Sequence, residues 1–285
     1  MNIGKLKNLM ILFLAVLNAA LLALNIAESR KYLLSVRQET AIRSLLSQNG
    51  IGLHKPPIKD FSPKSNLSVT VLSVPEDELL RIFFEGGEDP VRTVENNETA
   101  FNFGGKNLYV NHGYVFYEDL DAGRLGYYNM TADEKMELCE AYAVEIGKLH
   151  KSMNFELDRT YEDEDEYVIE FRGEADGYVV YSNFIRFHFF DEDVFQIDFS
   201  FAEVNGFARE KKDIFAADEI LLTLMYELKN IYGDYPVEIL DMDIVYRLMN
   251  SGGLGEAQNA TPYYRVYIKE QPEPFLIDAY LNRLS

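Results

Sequence analysis

Tryptophan is absent from this sequence of 285 residues, cysteine occurs once and histidine four times. With Cys139 alone, no intramolecular disulfide can form and no thiolate cage for zinc is available. An exported protein without disulfides suits a Gram-positive-type surface as well as a reducing cytosol. Lack of Trp weakens any aromatic-cage or interfacial-belt argument, and Tyr and Phe, 19 each, supply the aromatic mass. Basic residues are scarce: 27 Lys and Arg stand against 47 Asp and Glu, a net charge of −20. Phosphate binding needs clustered Lys and Arg, so nucleic acid and anionic lipid surfaces drop out as partners.

The strong catalytic signatures are missing too. The chain contains no G-x-S-x-G elbow, no H-E-x-x-H, no P-loop and no G-x-G-x-x-G after a strand. Gly252-Gly253-Leu254-Gly255 lacks the Lys-Ser/Thr that would follow a phosphate cradle and reads as a loop. The run Glu162-Asp163-Glu164-Asp165-Glu166 is contiguous, whereas a calcium loop needs acids at alternate positions and a central glycine, so it reads as a solvated loop. Asp119-x-Asp121-x-Gly123 fails likewise, because Arg124 and Met130 fall where Gly and Glu are required. His54, His112, His150 and His188 are scattered, and Cys139 lies on the apolar stripe of a helix, where a buried thiol is inert. No catalytic residue, metal site or cofactor is expected, and the protein is read as non-enzymatic. An acidic surface enzyme using a pair among its many carboxylates is the outside alternative.

What is present begins with an uncharged apolar run, Leu9 to Ala27, about 28 Å long as a helix and close to the ~30 Å hydrocarbon core of a bilayer. No Ala-x-Ala cleavage site closes it, so it reads as an uncleaved signal anchor. Lys5 and Lys7 precede it, which favours a cytoplasmic N-terminus and an extracytoplasmic remainder. Ala15, Ala19, Ala23 and Ala27 form a stripe of small residues, and Asn18 and Asn25 lie seven apart on an adjoining face. Close backbone approach and a buried amide are how membrane helices associate, so these six residues are the candidate partner contact.

The expected organisation is a tail over 1–8, the anchor over 9–27, a juxtamembrane stalk helix over 28–50, a membrane-proximal α+β unit over 51–128 and a membrane-distal α+β unit over 129–285. Pro56, Pro57 and Pro63 mark residues 54–63 as an extended linker. From Leu67 the apolar period becomes two, and an antiparallel meander is expected through Leu79–Phe84, Thr99–Phe103, Asn107–Asn111, Tyr114–Glu118 and Arg124–Tyr128. Hairpin turns are expected at Gly104-Gly105 and Asn111-His112-Gly113. Thr131 and Glu134 form a capping box for a helix bearing Cys139, Tyr142, Ala143, Ile146, Leu149 and Met153 on one stripe. Strands follow at Tyr167–Arg172, Tyr178–Tyr181, Phe184–Phe190 and Val194–Phe201. A second helix, Ile214 to Tyr232, precedes strands at Val237–Asn250, Pro262–Lys269 and Pro274–Tyr280, so helix-then-strands occurs twice.

The stretch Pro262-Tyr263-Tyr264-Arg265-Val266, followed by Phe275-Leu276-Ile277-Asp278-Ala279-Tyr280, resembles the "P-x-aromatic-R-V … aromatic-x-(V/I)-(N/D)-A" strand pair of PepSY-like modules and of the YycI/YycH regulators of the YycFG (WalRK) two-component system. Pro262, Tyr264, Arg265, Val266, Asp278 and Ala279 carry it. Tyr264 stands where the family has Trp, and Asn282-Arg283 where a glycine is usual. The layout of basic tail, single anchor, outer helix and about 250 residues of α+β is also similar to YycI. The resemblance implies a regulator in the membrane of a Gram-positive-type bacterium. Its implied partners are a sensor histidine kinase and a YycH-like single-pass regulator, contacted through membrane helices to adjust cell-wall metabolism. The alternative is a tethered PepSY-type module that binds or inhibits a wall hydrolase or protease.

Overall fold

A computed structural model describes the chain apart from residues 1–2, 85–87, 96–97, 121–126, 128–129, 151–153, 163–165, 176, 191–193, 249–254 and 270, and apart from the side chains of 3–6, 8–9, 23–29 and 175. In chain order the elements are α1 (Ile3–Lys31), α2 (Val36–Gln48), β1 (Ile51–Leu53), β2 (Lys64–Val71), α3 (Glu76–Phe83), β3 (Val91–Glu95), β4 (Glu98–Phe103), β5 (Lys106–Asn111), β6 (Tyr114–Asp119) and α4 (Ala132–Gly147). There follow β7 (Asn154–Glu162), β8 (Glu166–Ala175), β9 (Tyr178–Phe190), β10 (Phe195–Ser200), β11 (Ala202–Lys212), α5 (Ala217–Tyr232), β12 (Val237–Leu248), β13 (Ala257–Ile268), β14 (Phe275–Asp278) and β15 (Arg283–Leu284). The architecture is mixed α+β, with five helices among the described residues.

Two compact units interleave along the chain. One comprises Met1–Lys64, Lys212–Asp243 and Tyr264–Ser285, the other Ser65–Lys211 and Ile244–Tyr263. The periodicity of the sequence predicts consecutive units over 51–128 and 129–285.

In the first unit the expected single stalk helix over 28–50 is broken. Helix α1 ends at Lys31, and α2 restarts after Ser35, whose hydroxyl accepts from Gln38 N while Gln38 Oε1 accepts from Ser35 N. This capping box competes with helix continuation, and the released backbone finds other partners. Leu34 N donates to Lys59 O at 2.8 Å, Phe61 N donates to Tyr32 O at 3.0 Å, and Leu33 forms an isolated bridge with Asp60. The proline-rich stretch therefore lies along the break instead of separating two bodies. Helix α2 buries Ile42 and Leu46 and packs on α5, which buries Ile220, Leu221, Leu224 and Leu228. That is a core position, unlike a free stalk. Strand β1 runs parallel to β12, Ile51 opposite Val237, and β14 pairs with β15.

Helix α1 is apolar between Met10 and Leu22 apart from Asn18, and Met10, Ile11, Leu12, Phe13, Val16, Leu21 and Leu22 are all more than half exposed. The run Leu9–Ala27 continues into side chains outside the description, and among the described residues no helix is long and apolar enough to cross a membrane.

In the second unit an antiparallel sheet runs β7-β8-β9-β10-β6-β5-β4-β3, with β11, β2 and the residues of β13 and β12 belonging to this unit joined at the Tyr178 end of β9. One sheet face carries Phe101, Leu108, Val115, Ile169, Ile185, Phe187, Ile197 and Phe199, covered by α3 through Leu79 and Phe83 and by α4 through Cys139, Ala143 and Ile146. Phe83 stacks on Tyr117 at 4.6 Å between centroids. Alternation along each strand sends the odd-numbered residues of β8, β9 and β10 into this core and the even-numbered ones to the opposite face.

Several sequence expectations hold here. Thr131 caps α4 with Glu134, and both hairpin turns form, with His112 and Gly113 at φ 45° and 81°. Others do not. The segment Leu79–Phe84 belongs to helix α3: Pro75 precedes it, Glu76, Asp77 and Glu78 sit in the first turn where the helix dipole favours anions, and Leu79 and Phe83 are one turn apart. Tyr178–Phe190 is one strand of 13 residues. It is uninterrupted at Asn183 because that buried amide donates to Ala202 O at 2.9 Å and accepts from Ala202 N at 2.5 Å. The expected strand Arg124–Tyr128 falls outside the described residues except Tyr127, and Met153 lies outside them too.

Candidate functional site

Of the anchor residues singled out, Ala15, Asn18 and Ala19 are exposed on α1, Ala15 and Ala19 one turn apart and Asn18 beside them. Ala23, Asn25 and Ala27 lie in the same helix, and their side chains are outside the description.

The C-terminal motif residues are structural. Tyr264 is fully buried and its Oη donates to Phe215 O at 2.7 Å, which leads the chain into α5. Burial pushes its phenol pKa up. Arg265 is held as a fork on Asp243, Nε to Oδ1 at 2.9 Å and Nη2 to Oδ2 at 2.6 Å, and its guanidinium lies 4.9 Å from the Tyr267 ring centroid. Val266 is core. Asp278 Oδ1 accepts from Tyr280 N and Leu281 N at 2.8 and 3.0 Å and so shapes the turn into β15. Asn282 in that turn adopts φ 51°, a left-handed conformation that Asn tolerates best after Gly. Ala279 is buried and its carbonyl accepts from Phe215 N at 2.9 Å. Pro262 lies in β13 beyond Ala260, where pairing with β2 ends, so its missing N–H costs that ladder nothing.

A concentration of charge lies on the sheet face of the second unit opposite α3 and α4. Glu170 in β8 is fully buried. Its Oε2 takes Arg159 of β7 through Nε and Nη2 at 3.0 and 2.8 Å and lies 3.5 Å from Arg186 Nε of β9, while Oε1 pairs with Arg172 Nη2. Burial alone would raise its pKa, but the Arg172, Arg186 and Arg159 guanidiniums hold the carboxyl below the usual range. Next along β9, His188 is clamped between two carboxylates: Nε2 lies 2.9 Å from Asp198 Oδ1 and Nδ1 contacts Glu166 Oε1. Burial pushes its pKa down, and the hydrogen bonds to Asp198 and Glu166 outweigh burial and raise it, favouring imidazolium. Tyr114 Oη donates to Asp198 Oδ2 at 3.3 Å. Asn102, Asn107, Glu118 and Gln196 continue the chain across four strands at 2.8–3.3 Å.

This array binds charge internally. Its carboxylates already accept from arginine, histidine and tyrosine, so it reads as a framework rather than a reaction centre. Cross-strand pairing puts Glu170 opposite Arg186 and Arg159, and Arg186 opposite Asp198. The other expected residues stand apart. His54 pairs with Glu238 at 3.1 Å, His112 sits in the β5–β6 turn beside Asn111, and His150 is buried, which lowers its pKa. Cys139 lies in the core, where burial raises its thiol pKa and suppresses thiolate chemistry. Among the described residues no group of three His, Cys, Asp or Glu can hold a metal ion. Residues 163–165 of the acidic run, 252–254 of the glycine run and Asp121 and Gly123 lie outside them.

A groove of about 990 Å³ opens between α4 and β7, lined by Ala143, Val144, Lys148, Phe155, Leu157 and Phe171 among others. The groove is not legible in the sequence, because the period of two along β7 breaks between Leu157 and Arg159.

No protein-family profile matches the chain, and no curated protein matches it. Among solved structures, an uncharacterized protein from Eubacterium rectale is similar at 14% identity, with 82% of this chain and 88% of that chain covered and a TM-score of 0.50. The Bacillus megaterium YpeB C-terminal domain aligns at 9% identity over 75% of this chain and 96% of that one, at a TM-score of 0.41. The first likeness concerns the fold alone.

Proposed function

We propose that this chain is a non-enzymatic, membrane-anchored regulatory protein with its α+β portion outside the cytoplasm, and that it modulates a sensor histidine kinase through contacts of its membrane helix. The observation that carries this reading is α1. A helix exposed from Met10 to Leu22 and apolar there but for Asn18 leaves a surface that water does not stabilise, and lipid or partner helices cover such a surface. Lys7 on its N-terminal side and Arg30 and Lys31 at its C-terminal end flank that stretch with charge. Ala15, Asn18 and Ala19 supply a small-residue approach and an amide for a neighbouring helix. The YycI-like layout of the sequence supports a kinase complex and a YycH-like companion as the setting. A bias of about 1–3 kcal/mol between two kinase states shifts output several-fold or more.

The test is a detergent pull-down of tagged full-length protein beside an Asn18→Leu/Asn25→Leu variant. Recovery of a histidine kinase or a single-pass regulator with the wild type alone supports the reading. Unchanged recovery by the variant, or full function after residues 9–27 are exchanged for an unrelated span, overturns it. The α+β portion would then act by itself, as a PepSY-type module on a wall enzyme.

A further inference from the structure

One end of the sheet in the second unit is built differently from its middle. Among the described residues β3 closes the strand order and pairs with β4 alone, and every residue from Val91 to Glu95 is exposed, Val91 at 66% and Val94 at 55%. A strand that buries none of its side chains leaves a row of unpaired backbone groups at the edge, a template for another extended chain unless something blocks it. The usual blocks are missing within β3. Val-Arg-Thr-Val-Glu holds neither Pro nor Lys, and its register with β4 runs from Val91 opposite Asn102 to Glu95 opposite Glu98 without a bulge. That register also says which groups are unpaired. A connection of two residues makes Glu95 and Glu98 a hydrogen-bonded pair, and alternation makes Thr93 with Ala100 and Val91 with Asn102 the other bonded pairs. The N–H and C=O of Arg92 and Val94 therefore point away from β4.

Charge decides what fits this edge. At −20 overall, copies of the chain repel one another over most of their surface, but β3 carries one Arg and one Glu and is itself neutral. Arg92 is held as a fork by Glu76 of α3, Nε to Oε2 at 3.0 Å and Nη2 to Oε1 at 2.9 Å, with its guanidinium 5.9 Å from the Phe101 ring centroid. Antiparallel pairing of β3 with its own copy must bring outward groups to outward groups, which leaves Arg92 on Arg92, Val94 on Val94 or Arg92 on Val94. The first opposes like charges directly. The second sets Glu95, which has no basic partner among the described residues, diagonally against Glu95 of the copy. The third leaves only the two Arg92 side chains diagonal, each neutralised by its own Glu76, while Thr93 meets Thr93 on the twofold axis and Val91 meets Glu95 on the face away from α3. We propose that β3 pairs antiparallel with β3 of a second copy of this chain, Arg92 opposite Val94 and Thr93 on the axis, so that the sheet continues from one subunit into the next. A pair of such short strands lies at the small end of protein interfaces, and the dimer is weak and reversible. The inference is independent of whether α1 enters a membrane.

Cys139 is buried, so Thr93→Cys supplies the reactive thiol and sets it opposite itself at a non-hydrogen-bonded position, where Cα atoms lie about 4.5 Å apart, within disulfide reach. The experiment follows oxidation of the full-length chain at about 0.2 mM in a non-ionic detergent, with Cu(II)-phenanthroline as oxidant, on non-reducing gels. Thr93→Cys should form a covalent dimer at least about tenfold faster than Val91→Cys or Glu95→Cys, each of which faces a different residue of the copy. Adding Val94→Lys, which sets a cation against Arg92 of the copy, should slow the Thr93→Cys cross-link at least about threefold, and Val94→Glu should quicken it. All these positions are exposed, so the variants should keep the wild-type Tm, which separates lost pairing from lost folding. Absence of a Thr93→Cys dimer overturns the proposal. So do equal rates at the three cysteines, which would assign any association to another surface such as α1, and a Thr93→Cys rate indifferent to the charge at residue 94.

Discussion

Replacing Glu170 by glutamine keeps the shape of the side chain and removes the charge on which three strands converge. Arg159, Arg172 and Arg186 then face one another across β7, β8 and β9 with their common counter-ion gone. Glu170 is fully buried and the Arg172 side chain is 5% exposed, so water screens the loss poorly. Removing one partner of a buried ion pair costs about 3–5 kcal/mol, and the amide oxygen can still accept one guanidinium hydrogen bond, which places this variant near the lower end. At roughly 2–4 °C per kcal/mol for a body of this size, a cost near 3 kcal/mol should lower Tm by about 6–12 °C. Urea unfolding followed by circular dichroism reads the same quantity as a lower midpoint at unchanged slope. Adding Arg186→Gln to Glu170→Gln should recover part of the loss, because one of the repelling charges goes with it. The acid side follows from the same contacts. The folded carboxyl titrates below its unfolded value, so its contribution is present above the unfolded pKa and disappears as pH falls through the lower folded one. The variant should lack that acid-dependent component. A Glu170→Gln destabilisation below about 1 kcal/mol, or no coupling to Arg186, would refute the view that the array is a mutually dependent framework.

Two further outcomes test neighbouring features. The His188 imidazole has a raised folded pKa, so its contribution is complete below the ordinary value of about 6.5 and is lost as pH climbs through the folded one. Tm measured across pH 5–9 should show that alkaline decline in the wild type and a flatter profile in His188→Gln, and identical profiles would show that the two carboxylates do not bind the imidazolium. Gly113 sits at φ 81°, where an added Cβ would lie 2.6 Å from both Leu72 O and Val71 Cγ1. Gly113→Ala should cost at least about 2 kcal/mol by urea unfolding. Gly104→Ala, at φ 59° with open space around it, should cost about 1 kcal/mol, and equal costs would mean that the close approach is unimportant.

The residues that could be read in advance are those whose local chemistry agrees with their tertiary role. Thr131 with Glu134, the Asn111-His112-Gly113 turn and the Phe195–Phe201 alternation each name their element from a few neighbouring residues. Three segments failed for identifiable reasons. Leu79–Phe84 is apolar but for Arg81, and a short run of that kind fits helix and strand alike until the acidic first turn is weighed. Strand β9 contains Asn183, a turn-forming type whose amide here finds Ala202 from across the fold, a partner 19 residues away that no window reveals. Strand β7 lost its period of two to the bulge between Leu157 and Arg159. The charged framework is half legible: the alternation with Phe187, Phe189, Phe195, Ile197 and Phe199 puts His188, Gln196 and Asp198 on the face away from the core, but which carboxylate meets which guanidinium depends on strand register, which separate segments do not encode.

The way the two compact units share the polypeptide bears on biogenesis. The first unit draws on residues 1–64, 212–243 and 264–285, the second on 65–211 and 244–263. Neither is a contiguous stretch that a nuclease, a protease or a recombination event could lift out whole. During synthesis residues 1–64 emerge long before Tyr264–Ser285, which complete the same body, so that body cannot close until those last residues have been made. Most of the second unit is made in the interval. Termination anywhere before residue 264 thus leaves residues 1–64 and 212–243 without the segment that completes their body, while the second unit's own residues can already be in place.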